Sequence, residues 1–410
     1  GGKIQLEDTA AGRRQYVLSA SSALIEPLEI RQGVSFPSAE GNYVVITPAA
    51  FEETLQPLLS LRSSQGHTPA VITTEAIYDR FGDGQLSPEA IRDFIAYAYA
   101  NWSIQPEMVL LVGDGTYDPK QNQPNSKATI LPVYLADVDP WAGEVPADHR
   151  FVTVDGGDLL PDLAIGRLPV NDTGELAAVV AKLVSYPEQN KSWRGTWTFV
   201  ADDADQAGDF TEASNELIHQ LDSEHYRANL YIYSGDESDL SSLQSEVTSA
   251  WASGHGHVIY TGHSTVHQWA DEGFYHISQI NGLINRNQLS VMLQLTCFTG
   301  SFHMAGLDSI DETFLRHPNG GASAVWGATG LGVSTAHEEL AVGYIQNLNQ
   351  TGTTTIGAAT MAGKINLLTE RPHHADLVDT FTLLGDPAMI LTLPGEGVDG
   401  IFLPLIQTSN

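Results

Sequence analysis

The chain has a single cysteine, few basic residues and no long apolar run. One cysteine among 410 residues excludes an internal disulfide, so an oxidising compartment is neither required nor forbidden. No stretch reaches the roughly 18 apolar residues of a membrane-spanning helix. The 50 acidic residues outnumber the 19 basic ones and give a net charge of −31. Such a field repels nucleic acid and anionic membranes and favours cationic substrates or divalent cations. Adaptation to salt or to an extracellular setting is the alternative interpretation.

Short apolar runs and helical patterns alternate along the chain from Tyr43 onward. This alternation is typical of an α/β fold, in which mainly parallel sheets are flanked by helices. The pattern pauses at a Pro/Glu/Lys-rich segment and then restarts, which predicts two side-by-side α/β subdomains at 39–190 and 191–394. Residues 1–38 are predicted to be an N-terminal arm or the end of a preceding β domain. Residues 395–410 are predicted to be a linker or tail.

Cys297 and His263 each follow a predicted strand, Val291–Thr296 and Val258–Tyr260 respectively. The carboxyl ends of parallel strands are where ligands and catalytic groups collect in α/β sheets. A thiol becomes an effective nucleophile when a base or a positive potential activates it. A buried structural cysteine and a structural histidine are the alternative for these two positions. The pair therefore predicts a candidate cysteine hydrolase site.

Five sequence blocks occur in an order that one peptidase family shares. They are Leu110–Asp114 (LLVGD), Pro161–Pro169 (PDLAIGRLP), Val258–Ser264 (VIYTGHS), Leu295–Phe302 (LTCFTGSF) and Leu384–Pro387 (LGDP). Together they resemble the gingipain-type cysteine peptidases, family C25 of the caspase-like clan. The resemblance runs from about residue 40 to residue 393. It implies a caspase-like fold and a cysteine endopeptidase.

The resemblance implies a role for several individual residues. Cys297 would be the nucleophile, and His263 would activate the thiol and protonate the leaving amine. The backbone N–H groups of Cys297 and Ser264 would form the oxyanion hole. Relatives usually have glycine where this chain has Ser264, so its side chain is expected to crowd the hole. Asp202 or Asp203 would orient the histidine.

The substrate pocket is less well defined by sequence. Asp209 is the candidate for the base of an S1 pocket that pairs with a substrate Arg or Lys, or else it caps the helix that follows. Trp269 is a candidate wall of the substrate cleft, and Trp326 is a candidate either for substrate contact or for the core. The loop 327–334 lacks bulky residues, which allows a shallow or broad pocket.

Three Asp-rich loops, 137–139, 155–158 and 202–209, offer the oxygen ligands that calcium prefers. Structural calcium is expected, and an organic cofactor is not. The resemblance implies a protein or peptide substrate and an extracellular or cell-surface location. The expected partners also include flanking domains of a longer precursor, with no nucleic acid and no membrane insertion.

Three functions remain open at this stage. The first is an endopeptidase that cleaves after a basic residue through a thioester on Cys297. The second is a sortase-like transpeptidase, in which an amine accepts the acyl group from the same thiol. The third is a non-catalytic caspase-like scaffold, in which Ser264 and the loop changes have disabled the site.

Overall fold

A computed structural model describes residues 33–189 and 192–392, so much of the predicted N-terminal arm and all of the predicted tail lie outside it. The described residues form sixteen strands and eleven α-helices. The strands are β1 Tyr43–Thr47, β2 Pro69–Thr73, β3 Met108–Val112, β4 Leu135–Asp139, β5 Gly143–Pro146, β6 Ala164–Leu168, β7 Thr196–Ala201, β8 Arg227–Ile232, β9 His257–Thr261, β10 Gln268–Trp269, β11 Tyr275–His276, β12 Ser290–Leu295, β13 Ala322–Ala328, β14 Thr353–Thr355, β15 Phe381–Leu384 and β16 Ile390–Thr392. The helices are α1 Glu52–Ser64, α2 Thr74–Phe81, α3 Pro88–Asn101, α4 Thr173–Ser185, α5 Phe210–Gln220, α6 Leu240–Ser253, α7 Ile277–Ile280, α8 Ile310–Arg316, α9 Ser334–Thr351, α10 Ile356–Glu370 and α11 Asp376–Thr380.

Ten of these strands form one sheet in the order β2-β1-β3-β6-β15-β13-β12-β9-β7-β8. Every neighbouring pair is parallel except β13 with β15. Strands such as β1 and β3 are buried at every position, which explains their unbroken apolar sequences. The mainly parallel sheet with flanking helices confirms the predicted fold class. Strands from both predicted subdomains share this sheet, and the division near residue 190 stays a prediction.

Two buried ion pairs fix the first part of the chain, one of them to the segment after β15. Arg62 on α1 donates from Nε to Oδ2 of Asp386 at 2.7 Å, and Tyr43 on β1 donates to Oδ1 of the same carboxylate at 2.9 Å. Arg167 on β6 binds Asp148 through two nitrogens at 2.6 and 2.8 Å. All of these side chains are buried. Removing one partner of such a pair typically costs about 3–5 kcal/mol, because the other charge is left buried and uncompensated.

Helix starts follow the local sequence. Ser87 caps α3 by accepting from the Ala90 N–H, and Pro88 occupies the first helical position, as predicted. Ser309 and Glu312 form a reciprocal capping box at α8. Among the helices described above, none is both long and apolar enough to cross a bilayer.

Candidate active site at the ends of β9 and β12

His263 and Cys297 both lie at the carboxyl end of the central sheet. β9 and β12 are adjacent and parallel, and their register pairs Thr261 with Leu295. Each candidate residue follows its strand by two positions, so the two residues are level with each other on neighbouring strands. The register therefore places both residues beyond the carboxyl ends of two adjacent strands.

Hydroxyl groups tie the two strand ends together. Thr296 Oγ1 donates to the Gly262 carbonyl at 2.6 Å and lies 2.7 Å from Ser264 Oγ. The Ser264 hydroxyl also bonds to the carbonyl oxygen of Cys297. Within the described part of the chain, the N–H groups of Cys297 and Ser264 have no acceptor. Both amides are therefore available to an oxyanion, and the Ser264 side chain is anchored on the Cys297 backbone.

The Cys297 thiol is half-buried beside the loop that follows β13. Its Sγ lies 3.9 Å from the carbonyl oxygen of Gly332. Burial raises the pKa of the thiol, the Gly332 contact lowers it in part, and the charge of Asp139 raises it. The next residue, Phe298, has a φ of +57° and donates its N–H to Gly330 at 3.0 Å. This left-handed conformation is unfavourable for a non-glycine residue, and such residues are common at functional sites.

The carboxylate that meets the His263 ring belongs to Asp205. The distance from His263 Nε2 to Asp205 Oδ2 is 3.1 Å. The resemblance implies Asp202 or Asp203 in this role. The residue that contacts the ring is instead two or three positions later in the chain. The reason is local: the Asp205 N–H donates to the Gly208 carbonyl at 3.0 Å, which folds the segment back and turns Asp205 toward the ring.

Asp202 contacts the backbone of His263 and not its ring. Its Oδ2 accepts from the His263 N–H at 2.9 Å and from the Tyr260 hydroxyl at 3.3 Å. Its Oδ1 accepts from the Asp203 N–H at 3.1 Å. Burial raises the pKa of Asp202 to about 6, and the His263 N–H lowers it in part. Asp202 therefore fixes the strand end that carries the histidine.

The structure gives the three predicted substrate-binding residues other positions. Asp209 is exposed and caps α5, where its Oδ1 accepts from the Glu212 N–H at 2.9 Å. Trp269 is fully buried and stacks on Tyr260 with ring centroids 4.4 Å apart. Trp326 is also fully buried. Because neither indole ring reaches the surface, the expectation that these tryptophans contact a substrate is wrong for this structure.

The β4–β5 hairpin is a part of the site that sequence reasoning missed. Asp139 Oδ1 accepts from the N–H groups of Trp141 and Ala142, each at 2.8 Å, and Oδ2 accepts from the Leu331 N–H. Leu331 adjoins Gly332, whose carbonyl faces the thiol. The sequence Asp-Pro-Trp-Ala-Gly carries the turn signal that predicts such a hairpin. The Asp139 carboxylate, expected to be a calcium ligand, is thus bonded to backbone amides.

Among the described residues, one group of three carboxylates lies close enough together to hold a metal ion: Asp202, Asp203 and Glu272. One oxygen from each lies within 4.8 Å of the others. Three carboxylates suit calcium in charge and ligand type. Among the three Asp-rich loops predicted from sequence, only the one at 202–209 contributes to this group.

A buried carboxylic acid contacts the segment that follows Cys297. Asp311 is the second residue of α8 and is fully buried, and its N–H donates to the Thr299 carbonyl at 3.3 Å. Burial raises the pKa of Asp311 to about 8, and the Thr299 hydroxyl lowers it in part. Gly327 makes room for the acid, because a Cβ there would lie 2.2 Å from Asp311 Oδ2.

A mainly parallel α/β sheet with a thiol and an imidazole on adjacent strand ends defines a caspase-like cysteine peptidase. The chain belongs to Peptidase family C25, whose sequence model matches residues 36–392. It is a cysteine endopeptidase of the gingipain type. Comparison with curated protein sequences gave no match.

Solved structures show the same fold. The Arg-specific cysteine proteinase gingipain R superposes with a TM-score of 0.71 at 19% identity, covering 86% of this chain and 79% of that one. The complex of Porphyromonas gingivalis RgpB pro- and mature domains gives a TM-score of 0.71 at 20% identity, covering 86% and 80%. A further protease structure gives 0.66 at 19% identity, covering 86% and 78%. At these identities the likeness concerns the fold alone.

Proposed function

We propose that this chain cleaves peptide bonds with a Cys297–His263 dyad. The sulfur attacks the scissile carbonyl carbon, the C–N bond breaks, and a thioester forms on Cys297. The thiol proton passes through His263 to the leaving amine, and water then hydrolyses the thioester and restores the thiol. The observation that carries this proposal is the register of β9 and β12, which makes the two residues level on neighbouring strands.

Two further features support the dyad. The free N–H groups of Cys297 and Ser264 point to an oxyanion hole, which stabilises the charge that develops on the carbonyl oxygen. Asp205 at the His263 ring would hold the imidazole in one tautomer and stabilise its protonated form. The raised pKa of the thiol makes an activating base necessary at neutral pH.

We also propose a preference for a basic P1 residue and action outside the cell or at its surface. The net charge of −31 supports the preference for cationic substrates. Asp209 gives it little support, because its carboxylate caps a helix. The proposed location rests on family membership. A structure with RgpB pro- and mature domains in complex supports flanking domains in a longer precursor.

An active-site probe tests the dyad directly. An acyloxymethyl ketone with Arg or Lys at P1 is expected to label the wild-type protein and to leave Cys297→Ala and His263→Ala unlabelled. Melting temperatures equal to the wild type would show that both variants are folded. Labelling that persists in folded Cys297→Ala contradicts the nucleophile assignment.

Two measurements separate the alternative functions. Formation of an amide between the acyl part of the substrate and an added amine would favour the transpeptidase. A fluorogenic peptide panel with no turnover, with or without calcium, would favour the non-catalytic scaffold. Hydrolysis that depends on Cys297 is the result expected here.

We propose one structural calcium ion at Asp202, Asp203 and Glu272. Calcium is expected to raise the melting temperature of the protein by several degrees over a chelator control, since a ligand that binds only the folded state stabilises it. Glu272→Gln should remove most of this rise. Asp271→Asn, an exposed neighbour outside the group, is the matched control. An unchanged rise in Glu272→Gln contradicts the site.

A further inference from the structure

Trp141 is the one exposed tryptophan of the chain. All seven tryptophans lie in the described residues; five are buried, Trp102 is half-buried, and Trp141 is 59% exposed. A tryptophan side chain is large and mostly apolar, so its exposure at a fixed position commonly marks a contact surface. Trp141 lies at the tip of the β4–β5 hairpin, between Asp139 and Gly143.

A short chain of contacts connects this tip to the thiol. The sulfur of Cys297 faces the Gly332 carbonyl at 3.9 Å, and the adjacent Leu331 N–H binds Asp139. The same carboxylate accepts from the backbone N–H of Trp141 at 2.8 Å. A single carboxylate therefore fixes the hairpin tip to the loop beside the nucleophile.

The hairpin tip is held in place by backbone contacts, so its position does not depend on the indole ring. Asp139 is buried and accepts three backbone N–H groups. Gly143 closes the turn with a φ of +77°, which favours glycine. The hydroxyl of Thr329 donates to the Pro146 carbonyl at 2.6 Å and gives a second link between hairpin and loop.

The charges on the hairpin indicate what the ring would meet. Asp137 and Glu144 are direct cross-strand partners, and both are exposed. Like charges placed opposite each other destabilise a strand pair, and neither has a basic partner among the described residues. A cationic side chain from a substrate would relieve this repulsion. An indole face binds a guanidinium or ammonium group by a cation–π contact.

We propose that Trp141 is a specificity-determining residue whose indole ring packs on a basic side chain of the peptide substrate. Asp139 is the positioning residue that holds the ring at the rim of the Cys297 site. No aromatic residue in the loop 327–334 offers such a surface. The inference rests on the proposed peptidase function and extends it by naming a contact on the hairpin.

Peptide substrates with arginine replaced by citrulline, its neutral isostere, at one position at a time test this contact. In the wild type, kcat/KM should be higher for arginine than for citrulline. In Trp141→Ala, the ratio at one position should fall about three- to thirtyfold, and Trp141→Phe should restore part of it. Ile284→Ala is the matched control, because it removes an apolar side chain that is 81% exposed on the loop before β12, at the opposite end of that strand from Cys297.

An unchanged arginine-to-citrulline ratio at every position in Trp141→Ala, with Cys297-dependent turnover intact, overturns the inference and leaves the peptidase proposal standing. A readout that needs no turnover separates the two failures. In Cys297→Ala, an Arg-containing peptide should reduce acrylamide quenching of tryptophan emission, and Trp141→Phe should abolish this protection. Protection that persists in Trp141→Phe also overturns the inference.

Discussion

The ring of His263 and the carboxylate of Asp205 form a direct contact at the carboxyl end of the sheet. Nε2 and Oδ2 are 3.1 Å apart, and the two side chains are 41% and 45% exposed. A polar contact this exposed contributes little to folding stability, because water and salt screen it. Its expected effect is on the orientation and protonation of the imidazole.

Asp205→Asn is therefore expected to lower kcat/KM roughly ten- to a hundredfold and to leave the melting temperature nearly unchanged. The amide keeps the size of the carboxylate but removes the charge that stabilises a protonated imidazole. Steady-state kinetics and thermal melts on the same preparation measure both effects. Asp222→Asn, which removes a similar partly exposed carboxylate contact with His225 outside the site, is the matched control. Equal losses of activity in the two variants would argue that Asp205 has no special relation to His263.

Sequence patterns were sufficient for the parts of the site that depend on strand order. Cys297 and His263 could be placed at neighbouring strand ends because each follows an apolar run that reads as a buried strand. The sequence pattern could not show that Asp205, and not Asp202, contacts the His263 ring. This arrangement depends on a loop that folds back through a contact between Asp205 and Gly208, and the residue types alone do not specify that fold.

Burial of individual side chains was also beyond the sequence pattern. Trp269 follows His263 closely, so a position in the cleft was a reasonable expectation. The ring instead packs inside a cluster of aromatic residues beside Tyr260. Strand β15 gives a weak sequence signal, because it is only four residues long and directly follows helix α11. Its place at the centre of the sheet comes from non-local pairing with β13.

Asp209→Ala is expected to lower the free energy of unfolding by about 1 kcal/mol without a specific loss for basic substrates. The reason is that its carboxylate caps α5 by binding the Glu212 N–H. Urea denaturation measures the first effect, and the ratio of kcat/KM for P1 arginine over P1 citrulline measures the second. Asp209→Ser, which retains a capping oxygen, should recover most of the stability. A large fall in the ratio of kcat/KM for P1 arginine over P1 citrulline in Asp209→Ser would indicate that Asp209 does belong to the S1 pocket.

The buried Asp311 is expected to make the free energy of unfolding fall as the pH rises. Burial raises the pKa of this acid from the usual 3.8 to about 8, so the folded state binds a proton that the unfolded state releases. Its contribution is fully present below about pH 4 and is lost as the pH rises through about 8. Asp311→Asn, which is neutral at every pH, should flatten the pH dependence of the unfolding free energy in this range. Urea titrations at pH 5 and pH 8 measure it.

Asp93→Asn, on the exposed face of α3, serves as the control for Asp311. It should leave the pH dependence of the wild type unchanged. If Asp311→Asn loses as much stability between pH 5 and pH 8 as the wild type does, another group is responsible for the loss.

Lys182 on α4 is buried, and its Nζ donates into a ring of four carbonyl oxygens near the end of α8. The distances to the carbonyls of Phe314, Leu315, His317 and Gly320 are 3.2, 2.7, 3.1 and 2.8 Å. Lys182→Met retains the length of the side chain but leaves these acceptors without their donor. We expect it to lower the unfolding free energy by roughly 3 kcal/mol or more. Urea denaturation measures the loss, and Lys127→Met, at an exposed ion pair with Asp308, should change stability by less than about 0.5 kcal/mol. Similar small effects in both variants would mean that water replaces the ammonium among the carbonyls at little cost.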